Sequence, residues 1–434
     1  MPDFLRTPLR LSLLKASEMK RIQRWQETRI SSARASRRVL LLEGARQCGK
    51  TTLARGLPGK WHYRTLDDAA SMDALAYDLK AFVRHEHDMM IIDEVQHAPQ
   101  LLPEIKRVVD DDPRPGQYLL TGSAHVQSLP GVVESLAGRV AHIRLRPFAQ
   151  AELFGKAPDF LHDLVSNVSF SDQPDANRQH VIQAAMRGGY PEVQAFDHRQ
   201  RSAWHRDYVD AILNRDLQDV GRVVNRRGLR NLLSAAAAWS CRISDSSAMS
   251  RELSVARNSV ETWLGLLETL FLFERLPAWA RTDYKRIGKR DKWMLTDSGL
   301  VSSLLRYPDD PARLNDDQVG KIVELLVACE LLALADASDD RFLVSHYRDN
   351  EKREIDFMID DEDTGGAIGI EVKASTTVGA RDFRHLRWFV ENLSENRPFV
   401  GVVLYCGTDV LHFGDNLMAI PITLMWRPTD NQVR

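Results

Sequence analysis

The sequence predicts an α/β protein with a parallel-sheet P-loop domain in front, helical segments in the middle and a second, smaller α/β domain at the end. Three stretches carry this reading. Gly44-Ala45-Arg46-Gln47-Cys48-Gly49-Lys50-Thr51 fits the phosphate-loop pattern G-x-x-x-x-G-K-[ST] directly after an apolar run. Met89-Met90-Ile91-Ile92-Asp93-Glu94 is a second apolar run that ends in two acids. Near the C-terminus, Glu354-Ile355-Asp356-Phe357 is followed by Ile370-Glu371-Val372-Lys373.

Composition sets the frame. The chain has 434 residues, 44% hydrophobic and 27% charged, as ordinary globular proteins do. A net charge of −2 exerts no global pull toward nucleic acid or an anionic membrane, although a local basic face is compatible with it. Cys48, Cys241, Cys329 and Cys406 lie far apart. Their spacing argues against a zinc site or disulfide framework and fits a reducing cytoplasm. No signal-peptide pattern and no apolar run of membrane-spanning length is present, so no membrane partner is expected.

Taken in order, residues 1–37 read as helical and polar, with 14–25 amphipathic enough to dock on the next domain. In the phosphate loop, Gly44 and Gly49 give the backbone conformations closed to larger residues. The amides of Gly44, Ala45, Arg46, Gln47, Cys48, Gly49, Lys50, Thr51 and Thr52 would cradle the anionic oxygens of ATP. Lys50 would reach the β- and γ-phosphates, and the Thr51 hydroxyl would take a place on Mg²⁺. Residues 61–66 read as a strand, and 67–84 as a helical run opened by Asp67 and Asp68. The run 89–94 reads as a buried parallel strand, whose C-terminal end is where such sheets bind ligands. Asp93 fits the metal-holding acid and Glu94 the base that takes a proton from the attacking water. Residues 117–123 form a third buried strand, which an additional-strand ATPase places between the other two. Thr121 or Ser123 would then sense the γ-phosphate, or simply mark the strand exit. Arg139, at the turn before strand 141–145, fits a phosphate-sensing arginine in cis or in trans, and a surface salt bridge equally well.

Residues 148–218 turn helical, punctuated by Gly188-Gly189-Tyr190-Pro191. Segments 229–240, 249–256 and 258–267 read as three helices, followed by strands at 270–276 and 292–295, which is the order of a winged helix. Arg251, Arg257, Asn258, Lys285, Arg286, Lys289 and Arg290 would give it a positive face for duplex DNA or RNA. In the last segment, 319–335 reads as an apolar helix bearing Glu324. Glu371 and Lys373 share one face of a strand, since side chains alternate. Acid on one strand and acid-x-lysine on the next is the layout of metal-dependent nucleases. Asp356 and Glu371 would hold Mg²⁺ and Lys373 would steady developing charge, with Glu324 as a third carboxylate. Salt bridges within a non-catalytic fold account for the same residues.

Read together, the chain resembles the bacterial and archaeal AAA-type ATPases that carry a C-terminal domain of unknown function. The likeness rests on the loop 41–52, Ile92-Asp93-Glu94-Val95-Gln96, Leu120-Thr121-Gly122-Ser123, Leu136-Ala137-Gly138-Arg139, Gly188-Gly189-Tyr190-Pro191, Arg215-Asp216-Leu217 and the two tail motifs. Ala45 stands at a position that is often proline in that family. The resemblance implies an additional-strand P-loop core with its N-terminal helix (1–147), a helical lid (148–219), a winged-helix domain (220–308) and a restriction-endonuclease-like α/β domain (309–434). The expected function is Mg²⁺-dependent ATP binding and hydrolysis, acting with or on nucleic acid through the C-terminal modules. The alternatives are an ATP-regulated metal-dependent nuclease and a nucleotide-switched binding protein with little turnover. An arginine acting in trans would require a homo-oligomer.

Overall fold

The computed structural model of the chain describes residues 22–124, 138–166, 168–173, 177–216, 225–281, 288–338, 341–394 and 397–426. The apolar run before the phosphate loop forms strand β1 (Val39–Glu43). Beside it lie β2 (Trp61–Thr65), β3 (Met89–Asp93), β4 (Tyr118–Gly122) and β5 (Val140–Arg144). They form one sheet in the order β2-β3-β4-β1-β5, with every pairing parallel. Leu40 and Leu42 face one apolar cluster while Val39 and Leu41 face another, which is why the strand reads as an unbroken apolar run. β4 lies between β1 and β3, as the additional-strand reading requires. Parallel pairing also brings Gly44, Glu94 and Ser123 to the same edge of the sheet, each just beyond the C-terminal end of its strand.

The helical run expected over 67–84 divides into Ala69–Tyr77 and Leu79–Val83. Asp78, at φ −150°, ends the first helix, and its carboxylate accepts from Ala81 N to cap the second. Most of the amphipathic segment 14–25 lies outside the described residues; the helix that follows is Gln26–Arg34. Beyond β5 come the helices Arg178–Arg187 and His198–Ala211.

The middle of the chain holds helices Arg226–Ala238, Ser246–Leu253 and Arg257–Thr269 and strands β6 (Arg242–Ile243), β7 (Phe273–Leu276) and β8 (Lys292–Leu295). The strands form an antiparallel sheet in the order β6-β8-β7. The two-residue β6 is too short to leave a sequence signal. Lys285 and Arg286 lie outside the described residues.

The long helix Asp316–Ala337 opens on a capping box between Asn315 and Gln318. It packs against the helix Arg178–Arg187 and against β9 (Phe342–Arg348) and β11 (Ala367–Lys373). With β10 (Glu354–Asp361), β12 (Phe399–Tyr405), β13 (Leu411–Gly414) and β14 (Leu417–Pro421), these strands form a mixed six-stranded sheet ordered β13-β14-β12-β11-β10-β9. One apolar cluster runs from Leu40 and Leu42 through Leu232 and Leu326 to Ile370 and Val402. The front and back sheets are therefore packed into a shared core.

A charged junction reinforces that packing. Arg146, just beyond β5, makes two hydrogen bonds to Glu274 of β7 at 2.7 and 3.0 Å, and its Nε reaches Asp336 of the long helix at 2.6 Å. Arg144 grips the same Glu274 carboxylate at 2.9 and 3.1 Å. Burial alone would raise the Glu274 pKa, but the two guanidiniums outweigh it and hold the carboxyl at about 2.

Candidate nucleotide site and C-terminal acidic cluster

The phosphate loop is shaped by contacts from three directions. Gly44 is required by close approach, because a Cβ there would sit 2.1 Å from the Leu145 carbonyl oxygen. Gly49 is required by conformation, at φ +103°. Arg24, from the N-terminal side, donates to Cys48 O at 3.0 Å and to Glu152 at 2.9 Å. Tyr208 donates to Arg46 O at 3.2 Å and pairs with Tyr190 at 2.9 Å, so the Gly-Gly-Tyr-Pro segment is anchored beside the loop. Lys50 opens the helix Lys50–Arg55 and is buried, and its ammonium donates to Gly44 O and Ala45 O at 3.0 Å each. A phosphate entering the loop would draw that ammonium off its own carbonyls. Thr52 is exposed on the next turn, and the buried Cys48 thiol points to Leu145 O.

Thr51 and Asp93 meet at the loop. The Thr51 hydroxyl donates to Asp93 Oδ2 at 2.8 Å, and Tyr63, from β2, donates to the same oxygen at 2.6 Å. Sequence reasoning missed Tyr63, since nothing local marks a tyrosine whose partner lies on a neighbouring strand. Thr121 binds the other Asp93 oxygen and accepts from Glu94 N at 3.1 Å. Thr121 is fully buried, with its hydroxyl between the two acids. Glu94 sits at φ +60°, a left-handed conformation unusual for a residue with a side chain. Gln96 donates to its carboxylate and to Ser123 Oγ, the latter at 2.9 Å. Burial pushes the Glu94 pKa up, but the Lys50 charge and the hydrogen bonds from Gln96 and Ser123 overcome it, and the net direction is down. The side chain is therefore an ionised carboxylate beside the loop. Thr51 and Asp93 together offer the all-oxygen donor set that suits Mg²⁺.

Arg139 stands elsewhere. It precedes β5, whose first residue pairs with Val39 at the start of β1, so it lies on the opposite edge of the sheet from Gly44. Five residues of β1 separate the two edges, on the order of 15 Å at the rise of a parallel strand. The in-cis role is thereby corrected; Arg139 binds Asp110 instead, at 2.5 and 3.0 Å.

The tail residues also come together differently from expectation. Glu324 and Asp356 converge on Lys292 of β8, whose ammonium lies 2.9 Å from Glu324, 3.5 Å from Glu354 and 3.6 Å from Asp356. Glu371 faces Lys373 at 3.2 Å and His385 at 3.8 Å. Burial raises the Glu371 pKa, and its Oε1 is buried without a hydrogen-bond partner. Among the described residues no group of three or more acids, histidines or cysteines is arranged to hold a metal ion. Glu324, Asp356 and Glu371, expected to hold Mg²⁺ together, stand in two ion-paired groups, one on Lys292 and one on Lys373 and His385. Burial opposes the charge on Lys292, but Glu324, Asp356 and Glu354 outweigh it and hold its pKa well above the usual lysine value.

Residues 36–154 match the family model described as an AAA domain. Residues 178–311 and 319–425 match two domains of unknown function, DUF8612 and DUF4143. Uncharacterized proteins of Mycobacterium tuberculosis and Mycobacterium bovis are each 26% identical over 385 residues, which cover 88% of this chain and 80% of theirs. Among solved structures, a single-site variant of Thermotoga maritima RuvB is similar at 18% identity and a TM-score of 0.27, covering 61% of this chain and 90% of that one. AMPPCP-bound DnaA from Aquifex aeolicus gives 13% identity and a TM-score of 0.26, covering 56% and 85%. The parallel sheet and the domain match together support an AAA-type P-loop ATPase domain in the front of the chain. No helix among the described residues is long and apolar enough to cross a membrane.

Proposed function

We propose that the chain binds ATP with Mg²⁺ at residues 44–52 and hydrolyses it. The observation that carries this reading is the meeting of Thr51 and Asp93 at 2.8 Å, with Glu94 one residue further on. Bound Mg²⁺ would neutralise charge on the β- and γ-phosphates, held by the Thr51 hydroxyl and, through water, by Asp93. The loop amides would fix the phosphates, and Lys50 would exchange its loop carbonyls for phosphate oxygens. Glu94, ionised and aimed by Gln96, would accept the proton of the attacking water. Arg139 would serve a phosphate only in a neighbouring subunit, which makes homo-oligomerisation part of the reading. Calorimetry with ATP and Mg²⁺ tests it: Lys50→Ala should lose binding while its circular dichroism stays unchanged. Retained affinity in that variant would overturn the nucleotide site.

We further propose that the energy is used on nucleic acid through the middle module, read as a winged helix. Helix, strand, helix, helix, strand, strand is the order of its elements, and Arg251, Arg257, Asn258, Lys289 and Arg290 are exposed on it. Duplex binding should weaken steeply as salt rises, and Arg251→Ala with Arg257→Ala should reduce that slope by about 2. Binding that ignores both salt and these arginines would remove the nucleic-acid half of the proposal and leave a nucleotide-switched binding protein.

A further inference from the structure

We infer that the C-terminal acidic cluster is built around an internal cation and takes no divalent metal. Lys292 reaches it from β8, a strand of the middle sheet, while its partners Glu324, Glu354 and Asp356 come from the long helix and from β10. The ammonium is sealed from solvent and also donates to the Asp356 carbonyl at 3.3 Å. The chain itself supplies further partners to these acids, although Glu371 Oε1 is left without a hydrogen bond. Asp356 Oδ2 accepts from Val372 N at 2.9 Å, Arg348 binds Glu354 at 3.1 Å, and Lys373 binds Glu371. Four carboxylates thus face Lys292, Lys373 and Arg348, which leaves too little uncompensated negative charge for a divalent ion with its inner-sphere ligands. The lysine stands among the carboxylates that a nuclease would turn toward its metal.

The origin of Lys292 ties the cluster to the front of the chain. Lys292 lies opposite Leu276 in the antiparallel pairing of β7 with β8, and β7 carries Glu274, the residue that Arg144 and Arg146 grip from the ATPase side. The three-stranded sheet therefore holds one ionic lock to each flanking sheet.

Mn²⁺ binding to the full chain, measured by calorimetry without nucleotide, tests this. The wild-type chain should show no Mn²⁺ binding that disappears in Asp356→Asn. Lys292→Met should gain one Mn²⁺ per chain at least tenfold tighter than any wild-type binding, lost again in Lys292→Met/Asp356→Asn. Wild-type binding abolished by Asp356→Asn overturns the inference, as does a folded Lys292→Met that gains nothing. Should Lys292→Met fail to fold, the comparison of wild type with Asp356→Asn decides alone.

Discussion

Replacing Glu274 by glutamine should loosen the whole chain, because it leaves Arg146 buried with only Asp336 to answer its charge. The magnitude follows from the structure in two ways. Lowering a carboxyl from 4.5 to about 2 on folding corresponds to about 3 kcal/mol of stability. Removing one partner of a buried ion pair costs about 3–5 kcal/mol in general. Glu274 is 17% exposed and Arg146 only 7%, so solvent screens little of this. For 434 residues unfolding as one unit, an entropy of about 2.1 cal/mol/K per residue converts ~3 kcal/mol into a fall of roughly 3 °C in the thermal midpoint. If the ATPase side separates first, its smaller unit should fall further and a second transition should appear. Differential scanning calorimetry reads both outcomes. Because the Glu274 pKa is depressed, its contribution is present above pH 4.5 and is lost as pH falls toward 2. The double variant Arg146→Leu/Glu274→Leu removes the most deeply buried charge, leaving the more exposed Arg144 and Asp336 without these partners, and should recover part of the loss. A Glu274→Gln midpoint within about 1 °C of wild type would refute the argument.

Other outcomes follow from the same geometry. Tyr63→Phe removes one of three hydroxyls on Asp93 and should lower the ATP hydrolysis rate severalfold while leaving nucleotide affinity within about twofold; unchanged Mg²⁺ dependence and rate would show that Tyr63 is passive. Gln96→Leu frees the Glu94 carboxylate from its aiming donor and should reduce turnover about tenfold, with the acid limb of the pH profile moving up, since a lowering influence on Glu94 is lost. Burial lifts Glu330 to about 8 against the hydrogen bonds it accepts from Gln150 N and Ala151 N. Its stabilising contribution is therefore complete below pH 4.5 and is lost as pH rises through about 8. The thermal midpoint should fall across that window, and Glu330→Gln should flatten the decline.

The front of the chain was legible because its signals are local. A phosphate loop is eight consecutive residues, and a buried parallel strand is an apolar run, so β1, β3, β4 and the pair Asp93–Glu94 could be read directly. The strand order also followed, since β4 lies between β1 and β3. Arg139 was placed correctly before its strand, with a surface ion pair as one alternative, and its in-cis role fails for a reason that the sequence already held. A residue before a strand parallel to β1 stands on the edge opposite the loop that follows β1. Lys292, Tyr63 and Glu274 were missed because their chemistry depends on partners 30 or more positions away. The apolar neighbours of Lys292 in β8 mark a strand, and only the fold reveals that its ammonium turns toward Glu324. Strand β9 escaped because Phe342–Arg348 mixes polar and apolar residues without a clean alternation.

ATP turnover by Glu94→Gln, measured beside ATP affinity on the same preparation, bears most directly on the nucleotide site. The account predicts affinity close to wild type with hydrolysis lower by about 10²–10⁴-fold, the usual contribution of a positioned general base. Equal turnover in the variant and the wild type would contradict it.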